Sequence, residues 1–330
     1  MKTIIAKLSV LSIALMLFCV VACSKDEISE TSPEPVTFET QILTNGLNAP
    51  IGFTLDEKGQ LWVAETGTGH DDAAIVMVTP DGAKTTVFGG FESELANGAV
   101  EGMSRPLYKD GKLYILHGIS GFLYWGDVSG FKKGDAAIDI NTLEKQDIGT
   151  YVKSLNLTTP LNSNILHPVF GPDNNLYLVD AGANAIIKRD MITGDLSLFA
   201  AFPNVDDVSE AVPTGIVFDG QDFLVSNLSG FPFKSGNSFI YKVSTSGAIS
   251  TYKSGFETLI SIVLTQNKKP LVLQYATFSP GFAPNSGALL NENGDVLLSA
   301  LNLPTDILRF SDREFYLLSY GDGTISKLSY

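Results

Sequence analysis

The stretch LYLVDAGANAIIK, residues 176–188, reads as a short apolar strand that stops on an aspartate, turns through small residues and returns as a second strand. Its first five residues recur as LWVAE at 61–65, LYILH at 113–117, FLVSN at 223–227, PLVLQ at 270–274 and FYLLS at 315–319. Every copy has four nearly continuous apolar residues and a polar fifth. Such runs fit strands covered on both faces, whereas a half-exposed sheet would alternate.

The surroundings of the template repeat as well. Turn residues precede it (DEKGQ, KDGK, GPDNN, DGQD and SDRE, with QNKK in the remaining unit), and further upstream lies another apolar strand, often opened by proline, as in APIGFTL, RPLY, HPVFG and VPTGIVF. Downstream comes a third strand, clearest in AIVMVTPDG, AIIKRDMITG and FIYKVSTSG, and in four units a fourth: KTTVFGG, LSLFAAF, ISTYKSGF and DVLLSAL. Equivalent fifth positions lie roughly 45 to 63 residues apart, the length of a four-stranded propeller blade. The expected fold is all-β, a six-bladed β-propeller over residues 37–330. Its last unit ends at Tyr330 without a fourth strand, while FETQILTNGL (38–47) has no hairpin partner. The N-terminal strand is therefore expected to close the last blade, removing an open sheet edge. The period breaks only before NILHP. There NTLEKQDIGTYVKSL carries Leu143, Ile148, Tyr151, Val152 and Leu155 at helical offsets, which predicts a small helical insertion in blade two with Asn141 as its N-cap.

The N-terminus reads as a targeting segment. Lys2 and Lys7 lead into LSVLSIALMLFCVVA, an apolar run that fits a secretory signal over residues 1–22. VVAC, Val20 to Cys23, resembles the lipobox of bacterial lipoproteins, which implies acyl chains on Cys23; at about 0.8 kcal/mol per buried CH₂, two or three chains give a stable anchor. Residues 23–36 hold too little apolar content to pack and read as a flexible tether. The resulting expectation is a bacterial outer-membrane lipoprotein facing the periplasm or the cell surface, and the SKDE after the cysteine resembles a surface-export signal.

Composition excludes several classes. With 22 basic and 36 acidic residues the net charge is −14, which repels phosphate backbones and argues against nucleic-acid binding. Cys19 and Cys23, the two cysteines, both fall in the leader region, so the propeller has no thiol chemistry. GxSxG, P-loop and HExxH patterns are absent.

VPTGIVFDGQDFLVSNLSGFPFKSG (212–236), DAGANAIIK (180–188) and LPTDILRFSDREFYLLSYGDG (303–323) resemble the ScyD/ScyE-type propellers, a family named for a gene cluster that makes the aromatic sunscreen scytonemin. The resemblance spans 38–330, is specific in blades three to six, and weakens in blades one and two. It implies an exported, NHL-like six-bladed propeller and no particular reaction.

The fifth positions, Glu65, His117, Asp180, Asn227, Gln274 and Ser319, form a candidate ring on one face of the propeller. The plainer reading is that a polar residue marks where each strand leaves the interior. On the functional reading Glu65, Asp180 and Asn227 supply oxygen donors of the kind Ca²⁺ or Mg²⁺ prefers, and a metal there would polarise an ester carbonyl with His117 as base. Arg105, His167 and Asp306 open inner strands on the same face and read singly as turn or capping residues. His70, beside Asp71 and Asp72, reads as a solvated turn or a Ca²⁺ loop. Loops leaving the strand ends contain SGFLYW (120–125), SGFPF (229–233) and ATFSPGFAP (276–284). Phe122, Trp125, Phe231, Phe233, Phe278 and Phe282 would either pack as loop cores or wall a pocket for a flat or sugar-like ligand. Three classes of function stay open: a small-molecule binding module, a divalent-metal-dependent hydrolase of lactonase type, and a protein-interaction scaffold.

Overall fold

The computed structural model describes residues 32–96 and 98–330. The leader and the proposed lipidation residue Cys23 lie outside the described residues. Ser32–Tyr330 forms one compact unit of six four-stranded antiparallel sheets.

In chain order the inner strands are Pro50–Leu55, Met103–Lys109, Ile165–Phe170, Pro213–Phe218, Leu259–Leu264 and Pro304–Arg309. Each packs against the inner strand of the next blade, and the sixth packs against the first, so the circle closes. The template is the second strand of every blade. Its apolar run is explained by where alternate side chains go, because successive residues of a strand point to opposite faces. Leu176 and Leu178 enter the core between blades two and three, while Tyr177 and Val179 enter the core between blades three and four. Trp62 and Ala64 likewise face blade two, and Leu61 and Val63 face blade six. Six such cores, one per seam, hold the ring.

The N-terminal strand, Glu39–Thr44, pairs antiparallel with the last strand, Thr324–Ser329, from Glu39↔Ser329 to Thr44↔Ile325. This is the expected closure. Phe38 anchors it, edge-on to Phe315 at 5.6 Å and to Tyr330 at 5.3 Å. The stretch expected as free tether is docked from Ser32 onward. Asn267 donates to the Ser32 carbonyl (2.6 Å) and to Glu34 Oε1 (2.7 Å), and Pro35 is buried.

Blade two corrects a prediction. Glu144–Asp147, read as helix, is the blade's outer strand, paired with Phe122–Trp125. An open edge offers a ladder of hydrogen bonds, while an isolated helix of this length is marginal. Within the predicted insertion, only Gly149–Ser154 is α-helical. Asn141 is not its cap; it lies in a 3₁₀ turn capped by Asp139, and Asp147 Oδ1 accepts from Thr150 N instead. The helix buries Val152 in the seam between blades two and three.

Every inner strand also carries a bulge in its pairing with the second strand: Pro50/Gly52, Met103/Pro106, Ile165/His167, Pro213/Gly215, Leu259/Ser261 and Pro304/Asp306. A bulged residue is left out of the ladder. Six bulges at one end of the channel free backbone carbonyls that need other partners.

Candidate functional site

The strand-end residues act mainly as clamps on the loops beside them. Glu65 Oε1 accepts from Asn48 N (3.0 Å). Asp180, fully buried, accepts from Ser163 Oγ (2.6 Å), Asn164 N (2.9 Å) and Ala183 N (2.8 Å). Burial pushes its carboxyl pKa up, and these hydrogen bonds oppose the shift. Asn227 donates to Ala211 O (2.7 Å) and accepts from Phe239 N. Gln274 donates to Ser286 O (3.2 Å), and Ser319 donates to Asn302 O (2.7 Å). Asn48, Asn164, Ala211 and Asn302 each lie just ahead of an inner strand, so the clamps fix how the chain enters the channel wall.

His117 has both ring nitrogens engaged. Ser120 N donates to Nδ1 (3.2 Å), which leaves the proton on Nε2 to donate to Glu92 O (2.8 Å). Burial lowers its pKa, so the ring is neutral and offers no free nitrogen to a substrate. Glu65, Asp180 and Asn227 stand on blades one, three and four. Among the described residues no group of three or more His, Cys, Asp or Glu converges as a metal site. The loop at His70 is likewise occupied: Asp72 accepts from Thr68 N (2.7 Å) and Thr68 Oγ1 (2.8 Å), which hold its pKa down to about 2, and Asp71 accepts from Ser93 N (3.1 Å).

The channel is blocked by Arg105, which is 1% exposed. From blade two it reaches across the axis, Nη2 donating to Ile260 O (2.9 Å) and Thr305 O (2.6 Å) and Nη1 to Thr214 O (3.4 Å). All three carbonyls belong to bulge residues. Nε lies 3.2 Å from Asp306 Oδ1, and Asp306 also accepts from Ser261 Oγ (2.7 Å) and Phe53 N (3.2 Å). Blade one makes room with Gly52, where a Cβ would sit 2.3 Å from Arg105 Cγ. Blade three contributes His167, half-buried, whose pKa is pushed well below the usual value by burial and then by the Arg105 charge. The guanidinium thus joins blade two to blades four, five and six, while blade one packs on its stem and the blade three histidine feels its charge.

This arrangement carries a pH signature. Burial holds the pKa values of His117 and His167 below the ordinary value in the fold, while the unfolded chain takes up protons near pH 6.5. Unfolding therefore binds protons below that value, and stability is lost as pH falls through it. In urea titrations from pH 8 to 5 the midpoint should drop, and His167→Gln should flatten that decline. An unchanged slope in the variant would contradict this assignment.

Above the plug lies a cavity of about 570 Å³, within the range of small-molecule sites. Its floor is formed by bulge residues, among them Ile51, Ser104, Leu166, Ile260 and Thr305. Its rim holds Thr66, Gly118, Tyr275 and Tyr320, each one residue beyond a template strand's polar fifth position. In blades one, two, five and six the fifth residue thus clamps the loop and the sixth meets the cavity; Ala181 and Leu228, the sixth residues of blades three and four, are not among its lining.

A hairpin, Glu94–Ala96 and Ala99–Glu101, completes the wall. Val100 N donates to the Tyr320 hydroxyl (3.3 Å), tying the hairpin to blade six. Glu94, Glu101, Tyr275 and Tyr320 were not anticipated as site residues. ELANGAVE carries an Asn-Gly turn signal that marks the hairpin, but nothing in it says that the hairpin faces the channel.

The aromatic loops separate into two groups. Phe233, Phe278 and Phe282 pack together, with Phe233 4.8 Å from Phe278 and 5.0 Å from Phe282, and Phe231 projects from them, 71% exposed. Phe282 meets Tyr275 edge-on at 5.0 Å, joining this cluster to the cavity rim. Trp125 is elsewhere. It pairs with Tyr114 in mid-strand, and the Arg189 guanidinium lies over its ring at 4.9 Å. Phe122 pairs with His117 at the strand end, but its ring lies under Lys145. Strand geometry carries Trp125 three residues away from the site end, so it packs at the seam with blade three.

Solved structures share this architecture. A Bacteroides thetaiotaomicron protein of unknown function superposes with a TM-score of 0.60 at 11% identity, over 89% of this chain and 76% of that one. Virginiamycin B lyase from Staphylococcus aureus gives 0.52 at 14% identity over 89% and 99% of the two chains. The PQQ-bound aldose sugar dehydrogenase from Streptomyces coelicolor gives 0.53 at 12% identity over 90% and 99%. At such identities the likeness shows the fold alone. No protein-family model matches the sequence, and no curated protein matches it.

Proposed function

We propose that the protein is a binding module that takes a small molecule into the cavity at the channel mouth. The observation that carries this reading is the cavity itself: about 570 Å³, floored by the bulge residues and walled by a mixture of apolar side chains, hydroxyls, amides and three charged groups. Apolar walls with a few placed polar groups are the usual form of a ligand site. The fold also houses a lyase and a sugar dehydrogenase, which assigns no reaction to this chain. His117, the residue proposed as base, is held by Glu92 and Ser120, which favours binding over hydrolysis.

Export and anchoring through Cys23, and kinship with the ScyD/ScyE-type propellers, belong to the same proposal. They would make the cavity an extracytoplasmic receptor site. Ala99 is exposed and lines the cavity, so Ala99→Trp should fill the space without disturbing the core. Compounds that raise the melting temperature of the wild type should fail to do so with this variant, whose own melting temperature should stay unchanged. Equal shifts in both proteins would sink the proposal.

A further inference from the structure

The inference below rests on the cavity being the ligand site and concerns the chemistry of what it takes. Glu94 and Glu101 are direct register partners on the hairpin, and both line the cavity. Like charges placed directly opposite on paired strands destabilise the ribbon. Sequence gives no local relief, because the residues between them are Leu95, Ala96, Asn97, Gly98, Ala99 and Val100. Among the described residues neither carboxylate forms an ion pair, although seven ion pairs occur elsewhere. Partial loss of hydration against the cavity wall, and then the Glu94 charge, raise the pKa of Glu101, although much of its side chain stays exposed.

A third ionisable group faces the same space. Lys153, in the last turn of the helix Gly149–Ser154, lines the cavity and makes no ion pair among the described residues. The chain carries 14 more acids than bases, so an unengaged lysine beside two unengaged glutamates is not the default outcome of charge pairing. A resident divalent ion fits poorly: the pair falls short of three acidic or imidazole donors, and hard cations take six or more oxygen ligands.

We infer that the cavity binds a zwitterion the size of a short peptide, its primary ammonium held between Glu94 and Glu101 and its carboxylate by Lys153. Ser104, Asn162 and Asn164 on the cavity wall supply hydrogen bonds for the amide groups between the two ends. An ammonium has three donors and suits two carboxylates set side by side. The carboxylate end explains a lysine rather than a third acid on the neighbouring blade. A ligand of this kind also relieves the repulsion that the hairpin otherwise bears alone.

The test uses trialanine, N-acetyl-trialanine, trialanine amide and glucose as probes, with binding followed by calorimetry at millimolar concentration. Trialanine should bind saturably, and blocking either terminus should weaken it at least tenfold. Glu94→Gln and Glu101→Gln should each weaken trialanine by a similar factor. Both residues are exposed, so melting temperatures should not fall. Lys153→Met should erase the difference between trialanine and its amide. Binding that ignores the blocked termini or the glutamate variants would overturn the zwitterion assignment, as would binding of glucose alone, and both results would leave the cavity reading intact. If no probe binds and no compound of any class distinguishes Ala99→Trp from wild type, the cavity reading itself fails, and the zwitterion assignment with it.

Discussion

Arg105→Ala is expected to remove most of the protein's stability. The substitution strands Asp306, 4% exposed, without its cation, and breaking a buried ion pair from one side costs about 3–5 kcal/mol. It also orphans the carbonyls of Thr214, Ile260 and Thr305, each worth about 1–3 kcal/mol if left dry. Water entering from the cavity offsets part of this, so a net loss of about 5 kcal/mol is expected. That is comparable to the whole stability of many domains, about 5–15 kcal/mol. Arg105→Lys should rescue little, because one ammonium cannot reproduce the planar fork that reaches three blades. Replacing both partners, as Arg105→Met with Asp306→Leu, should cost less than Arg105→Ala, since no charge is then left alone. Urea unfolding of the three variants would measure this, and an Arg105→Ala midpoint close to wild type would refute the keystone role.

Deleting residues 36–47 should abolish cooperative unfolding. The deletion exposes the backbone edge of Thr324–Ser329 and removes Phe38 and Leu47, buried in the two seams that flank blade six. Those two side chains alone bury apolar surface worth about 1.5–3 kcal/mol each. The larger effect is topological: without the strand nothing from the N-terminal side pairs blade six, and the bare edge becomes a template for aggregation. Calorimetry should show a broad or absent transition, and a synthetic peptide of residues 36–47 should restore a sharp one. A truncated protein that melts as the intact one does would show that the ring holds without its seam.

The fold was legible in the sequence because its cause is local and repeated. Leu176 to Val179 had to be apolar on both faces, and the same demand recurs in every blade. The closing strand could be read from a deficit at one end and a surplus at the other. Glu144–Asp147 was misread because an outer strand with one solvent face has no strong period, and Leu143 and Ile148 beside it imitate helical spacing. The site was legible only in outline. Arg105 looks like any residue before a proline, and its role comes from partners 109, 155 and 200 residues away. The polar fifth positions mark the loop clamps, whereas the cavity is met one residue further on by Thr66, Gly118, Tyr275 and Tyr320, a column with no shared residue type to reveal it.

Ser32 and Glu34 dock on one particular end of blade five. Their partners Thr265 and Asn267 lie in the turn where the inner strand of blade five, Leu259–Leu264, passes into the strand Pro270–Gln274. That turn is at the opposite end of the blade from Tyr275, on the cavity rim. The segment Ser32–Pro35 is therefore held against the face opposite the cavity.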